Sequence, residues 1–141
     1  MKKIKVMLVF LLLIMLFIFV SCSGSISDVS STKSQSNYES LNETTKPGIF
    51  KMSYDNFDGS EVRTFNVIKG DKVSINYNSS ARIGSLSISI TDAYGNLIGN
   101  LPVNKKGNIK ATIKATGRIA ITVTGKSTTG NFSVCWDKIM F

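Results

Sequence analysis

No histidine occurs anywhere in the 141 residues. Histidine triads, His-ligated zinc or haem and imidazole acid–base chemistry are therefore excluded, and the many Ser and Thr hydroxyls have no imidazole to activate them. One Ser-x-x-Lys spacing, Ser30 to Lys33, has the form of a serine acyl-enzyme's nucleophile and base. It lies in a Ser/Thr-rich stretch with nothing to hold the pair in place, so chance explains it better. Two cysteines, Cys22 and Cys135, cannot build a disulfide framework or a four-cysteine metal site. The chain reads as a non-enzyme with no resident cofactor.

Binding chemistry has more candidates. The run Asp55-Asn56-Phe57-Asp58-Gly59-Ser60-Glu61 gathers oxygen ligands of the kind that hold calcium, with Asp55, Asp58 and Glu61 as the weak metal candidates. Phe57 and Gly59 break the EF-hand pattern, and a turn closed by Asx hydrogen bonds accounts for the same residues without a metal. Phe57 and Tyr94 fall in expected turns and are candidate exposed contacts. Lys105, Lys106, Lys110, Lys114 and Arg118 cluster in sequence. In an excess of 17 basic over 9 acidic residues, such a stripe favours anionic lipid headgroups or phosphate-rich polymers. Strand lysines also guard sheet edges against aggregation. Nucleic acid is not expected, because no recognised motif accompanies the charge. Ser85, Ser87, Ser89 and Thr91 form the solvent face of a strand, which also suits sugar hydroxyls. Trp136 shares the parity of Phe132 and Val134 and is assigned to the core.

The elements that position these residues begin with an address. Lys2, Lys3 and Lys5 precede an unbroken apolar run from Val6 to Val20. As a helix that run covers roughly 22 Å, short of the roughly 30 Å hydrocarbon core, so it reads as an export signal rather than a permanent span. The run ends in Phe19-Val20-Ser21-Cys22-Ser23-Gly24, which resembles the lipobox of bacterial lipoproteins. The resemblance implies removal of residues 1–21, a diacylglycerol thioether on Cys22 and anchoring at the extracytoplasmic face of the cell membrane. Cys135 is then left as a lone thiol, shielded or available to another chain. Residues 22–48 are rich in Ser and Thr, show no apolar period, and are expected to be a flexible linker. The alternative is a segment packed on the domain through Tyr38 and Leu41.

From Ile49 to Phe141 the texture is short alternating runs, the period of half-buried strands. The apolar sets are Phe50/Met52/Tyr54, Phe65/Val67, Val73/Ile75/Tyr77, Leu86/Ile88/Ile90, Ile109/Ala111/Ile113/Ala115, Ile119/Ile121/Val123 and Phe132/Val134/Trp136. Lys69-Gly70-Asp71, Asp92 to Asn96, Lys106-Gly107-Asn108 and Gly125 to Gly130 supply turn residues. Pro102 marks residues 97–103 as an edge strand, and the apolar tail Ile139-Met140-Phe141 extends the last strand or covers an edge. The expectation is an all-β domain, an antiparallel two-sheet β-sandwich or jelly roll of seven or eight strands. The order Phe65-x-Val67-x-x-Gly70-Asp71-x-Val73, Gly84-x-Leu86-x-Ile88-x-Ile90-x-Asp92-x-x-Gly95, Gly117 and Gly130-x-Phe132-x-Val134-x-Trp136 is similar to pre-peptidase C-terminal-type domains and to small lipoproteins of Gram-positive bacteria. That resemblance implies a non-catalytic module that accompanies a secreted enzyme or binds matrix or polysaccharide. The expected partners are the membrane, through the lipid, and an anionic wall polymer, polysaccharide or surface protein. An accessory or immunity-type subunit with one protein partner is the alternative.

Overall fold

The computed structural model describes residues 29–33, 40–46 and 48–139, with side chains over 48–139. The expected signal helix in 1–21, the lipidation candidate Cys22 and the end of the apolar tail lie outside these residues. Every described element is a strand: β1 (Val29–Lys33), β2 (Ser40–Lys46), β3 (Ile49–Val67), β4 (Lys72–Thr91), β5 (Leu97–Leu101), β6 (Lys106–Thr112) and β7 (Gly117–Lys138). All pairings are antiparallel. The central order is β1-β3-β7-β4-β5, with β2 also on β3 and β6 also on β4. No helix among the described residues is long and apolar enough to cross a membrane.

Alternation decides which face is buried. Phe50, Met52, Tyr54, Phe65, Val67, Val73, Ile75, Leu86, Ile88, Ile90, Ile119, Ile121, Val123, Phe132, Val134 and Trp136 form one apolar cluster, because successive side chains on a strand point to opposite faces. The short runs separated by Gly and Asx do not become separate strands, however. They are the two halves of three long strands, each broken in register at its middle. The breaks fall at Tyr54/Phe57/Gly59 on β3 and Ala81/Ile83/Ser85 on β4, both against the Gly125–Gly130 stretch of β7. Bulges bend strands and add local twist, so residues expected to close hairpins here turn the sheet instead.

The bend doubles the sheet over on itself. The Arg63 guanidinium carbon stands 4.4 Å from the centre of the Phe50 ring, although the two residues would lie roughly 43 Å apart on a straight strand. Phe65 stacks on Trp136 with ring centroids 4.9 Å apart. The core is thus the inner surface of one hydrogen-bonded sheet of seven strands, where two separate sheets were expected. Gly84 shows why the bend needs glycine. Its φ is +69°, and a Cβ there would strike the backbone of Ser127 and Lys126.

Two further expectations change. Within 22–48, read as a linker, β1 and β2 pair along the outer edge of β3, with Val29 opposite Phe65 and Lys46 opposite Ile49. Main-chain ladders need no apolar side chains, and this edge otherwise presents a row of unpaired N–H and C=O groups. Lys106-Gly107-Asn108 opens β6 rather than making a turn. The turn lies just before it at Val103–Asn104, where Asn104 takes a φ of +59° and its Oδ1 accepts from the Ala81 N–H at 2.7 Å. Gly107 serves packing: a Cβ there would meet the Tyr77 hydroxyl.

Candidate ligand-binding surface

Register assembles a site that the sequence separates. Across the half of the sheet built from β6, the first part of β4, the last part of β7 and the first part of β3, Lys106 stands opposite Asn78, Asn78 opposite Ser133 and Ser133 opposite Lys51. Residues directly opposite in a ladder share a face, so these four form one row across four strands. At about 4.8 Å per strand the row is about 14 Å long from lysine to lysine. On the next rows Asn108 faces Asn76, and Lys110 faces Ser74, which in turn faces Asp137. Lys72 shares this parity on β4. The face is opposite in parity to Phe50, Met52, Val73, Ile75, Phe132 and Val134, so the core fixes its backbone from beneath.

Two amides on this face, Asn76 and Asn108, are held in place. Asn108 Nδ2 donates to Ser74 Oγ at 2.7 Å and to Asn76 Oδ1 at 2.9 Å. A shallow groove of about 310 Å³ runs over Lys51, Ser53, Asn78, Asn131 and Ser133. A second hollow of about 300 Å³ is lined by Lys72, Lys110, Thr112 and Ile139. Lys51, Lys106 and Lys110 are exposed. The arrangement offers fixed amide and hydroxyl groups for neutral polar atoms, with cations at the margins for anions.

The other half of the sheet presents a different outer face. Ser85, Ser87, Ser89 and Thr91 stand opposite Lys126, Thr124, Thr122 and Ala120, and Ser60 Oγ lies 3.2 Å from Thr124 Oγ1. This face is rich in hydroxyls, with Lys126 and Arg118 near its ends.

The remaining sequence candidates are dispersed. Phe57, expected as an exposed contact, is 0% exposed, with Tyr54 5.3 Å away ring to ring. It occupies the inner side of the bend, where Gly125 leaves room for its ring. The three carboxylates of the oxygen-rich run do not converge. Asp55 Oδ1 accepts from the Thr129 hydroxyl at 2.7 Å, and Asp58 Oδ2 from the Ser127 hydroxyl at 3.3 Å. Glu61 points into the core and pairs with Arg63 at 3.5 Å, both side chains being about 1% exposed or less. No group of three or more metal-ligating side chains is present among the described residues. Lys105 follows the Asn104 turn and gives its carbonyl to the Ser79 N–H. Lys114, of the same sequence cluster, lies beyond the end of β6 and belongs to a different cleft.

That cleft, about 380 Å³, is lined by Asp92, Asn96, Leu97, Ile98, Ile113 and Lys114. The Asp92–Asn96 turn beside it forms as its residues dictate. Asp92 Oδ1 accepts from the Tyr94 and Asn96 N–H groups at 2.9 and 2.8 Å, and Asn96 Nδ2 donates to Asp92 Oδ2 at 3.0 Å. The Asn96 bond above all, with Lys114 contributing, holds the Asp92 carboxyl below its ordinary range. Tyr94 is 75% exposed at the tip, as expected. Cys135 is free and buried, its Sγ 3.9 Å from Ser133 Oγ. Lys51 and Lys72 were missed as site residues, and their one sequence signal was parity opposite to Phe50 and Val73.

No family model matches the chain, and no curated protein matches it. Among solved structures it is similar to the periplasmic inhibitor of g-type lysozyme from Aeromonas hydrophila, at 13% identity and TM-score 0.42 over 62% of this chain and 83% of that one. It is also similar to a carbohydrate-binding module of Cellvibrio mixtus lichenase 5A in complex with cellotriose, at 16% identity and TM-score 0.41 over 76% and 92%. The C-terminal CBM6 of LamC from Zobellia galactanivorans aligns at 13% identity and TM-score 0.40 over 77% and 99%. At such scores the likenesses carry no argument about ligand or activity, which must come from the chain's own surfaces.

Proposed function

We propose that this chain is an exported, lipid-anchored, non-catalytic β-sandwich module that holds an anionic envelope glycopolymer on its lysine-edged face. The doubled sheet acts as the two layers of the sandwich, and Cys22 carries the lipid. The observation that supports the ligand is the row Lys106–Asn78–Ser133–Lys51 with Lys110 beside it. A phosphate-bearing sugar polymer needs both cations for its charges and fixed hydrogen-bonding groups for its hydroxyls. This face supplies the two together, whereas the Ser85–Thr91 face supplies mainly hydroxyls. The missing histidines favour binding over catalysis.

Sedimentation of the protein with purified cell wall over a salt series tests the reading. Retention is expected at low ionic strength and release at high salt, because exposed charge contacts beyond a Debye length are screened. At about 1 kcal/mol per lysine near an anionic surface, changing Lys51, Lys106 and Lys110 together to Gln should weaken binding at least 10-fold. Failure to bind at low salt sinks the polymer reading. Binding indifferent to both salt and the Gln changes points to a protein partner. The anchor is tested separately by metabolic labelling with a fatty acid: label that persists in Cys22→Ala overturns lipidation at that residue.

A further inference from the structure

A second surface lies at one end of the doubled sheet, opposite the bend. Three turns meet there: residues 68–71 between β3 and β4, residues 92–96 between β4 and β5, and residues 113–116 before β7. The Lys69 N–H donates to Thr116 Oγ1 at 3.0 Å, and the Gly70 N–H to the Ile113 carbonyl at 2.8 Å. Gly117 packs so closely on Ala93 that a Cβ there would strike the Ala93 methyl. These contacts make the three turns one rigid tip.

The tip carries three of the four large apolar side chains that are exposed among the described residues: Ile68 at 61%, Tyr94 at 75% and Leu97 at 59%. Exposed Lys69, Lys114 and Arg118 sit among them. Two acids of the same end are engaged within the protein. Asp71 accepts from Lys138 Nζ at 2.9 Å, and Asp92 closes its own turn. Apolar and aromatic side chains rimmed by cations are the composition of an interfacial membrane contact.

The path of the chain selects the occupant. β1 runs so that Lys33 faces Glu61 and Val29 faces Phe65, so the chain enters the sheet at the end of β3 that leads into the tip. From Cys22 to Val29 the chain spans at most about 25 Å. A lipid on Cys22 would therefore lead into the module from its tip end, the nearer of the two ends to the anchor.

We propose that the Ile68/Tyr94/Leu97 tip docks on an anionic lipid surface, with Lys69, Lys114 and Arg118 on the headgroups, and sets the module upright with its lysine-edged face standing perpendicular to the bilayer. This orientation rests on the Cys22 anchor proposed above. It adds a headgroup-level contact to the lipid, which matters because a lipid on a tether attaches the module without orienting it.

The test uses full-length protein purified from membranes and reconstituted in vesicles of phosphatidylcholine with phosphatidylglycerol. Single tryptophans are placed by Tyr94→Trp at the tip and Ile83→Trp at the bend, where Ile83 is also exposed. Buried Trp136 is a constant background in both. A side chain lodged in the interfacial region is within reach of brominated acyl chains, so Tyr94→Trp should lose roughly half its added emission and Ile83→Trp less than about a tenth. Changing Lys69, Lys114 and Arg118 to Gln should reduce the quenching at 94 while leaving the protein attached through its lipid. Equal quenching at both positions, or none at 94, overturns the docked tip. So does quenching at 94 that ignores both phosphatidylglycerol and the Gln changes. Flotation of the wild type against Cys22→Ala reports on the anchor independently. Loss of that difference removes the anchor, and quenching at 94 in the same vesicles then still upholds the tip as a lipid contact.

Discussion

The Glu61–Arg63 pair provides the sharpest test of the doubled sheet. Both residues share the parity of Phe65 and point inward, where their side chains are 0% and 1% exposed and 3.5 Å apart. Arg63 also donates to the Val62 carbonyl at 3.0 Å and lies over the Phe50 ring. Arg63→Met removes the cation 3.5 Å from the buried Glu61 carboxylate and abolishes a cation–π contact across the fold. Removing one partner of a buried pair costs about 3–5 kcal/mol, a large share of the roughly 5–15 kcal/mol that stabilises a small domain. Urea unfolding followed by the fluorescence of Trp136, the only tryptophan, measures this directly. With a slope of about 1.5 kcal/mol/M, the midpoint should fall by about 2–3 M. The double variant Glu61→Leu/Arg63→Met should recover most of the loss, because apolar replacement of a whole buried pair is often neutral. A single-variant cost below about 1 kcal/mol, or a double variant no better than Arg63→Met alone, would refute burial of the pair between the facing halves.

Other outcomes follow from the same geometry. Gly84→Ala, at φ +69° with its Cβ against the Ser127 backbone, should cost about 1–3 kcal/mol in the same unfolding assay; a neutral effect contradicts the sharp bend. The Lys138 ion pair above all, aided by the Ile68 N–H, holds the Asp71 carboxyl below its ordinary range, and Asp92 is lowered as well. The unfolded chain therefore binds more protons just below about pH 4. Stability from these carboxylates should be complete above that pH and fall as the pH drops through their folded values, less steeply in Asp71→Asn. At the alkaline side, burial raises the Tyr54 phenol. Its contribution should be present below about pH 10 and lost as the pH rises further, and Tyr54→Phe should flatten that limb in pH-dependent unfolding. Cys135, buried and unpaired, should react with a thiol reagent in Cys22→Ala at least about 10-fold faster in urea than in buffer, since access governs thiol reactivity; equal rates contradict its shielding.

Alternation made the core readable. Phe50, Met52 and Tyr54, or Ile119, Ile121 and Val123, announce a buried face because side-chain direction on a strand has a period of two and needs no long-range information. The Asp92–Asn96 turn was equally readable, since its hydrogen bonds join residues at most four apart. Phe57 was not. Its neighbours Asp55, Asn56, Asp58 and Gly59 have turn chemistry, but a bulge uses the same residues to bend a strand, and the ring inside the bend is then enclosed. Glu61 and Arg63 show the same limit, because polar residues at inward parity read as surface until a facing layer covers them.

The absence of histidine, the apolar run from Val6 to Val20 ahead of Cys22 and the all-β texture are properties of residue types and near spacing, and the sequence determines them alone. Which lysines share a face is different. Lys51 and Lys106 belong to one row only because β3, β7, β4 and β6 pair in a particular register. A shift of one residue in any ladder would send one of them to the core side. That register is set by cooperative packing of the doubled sheet, with partners many tens of residues apart, so only the tertiary structure decides where a ligand can be held.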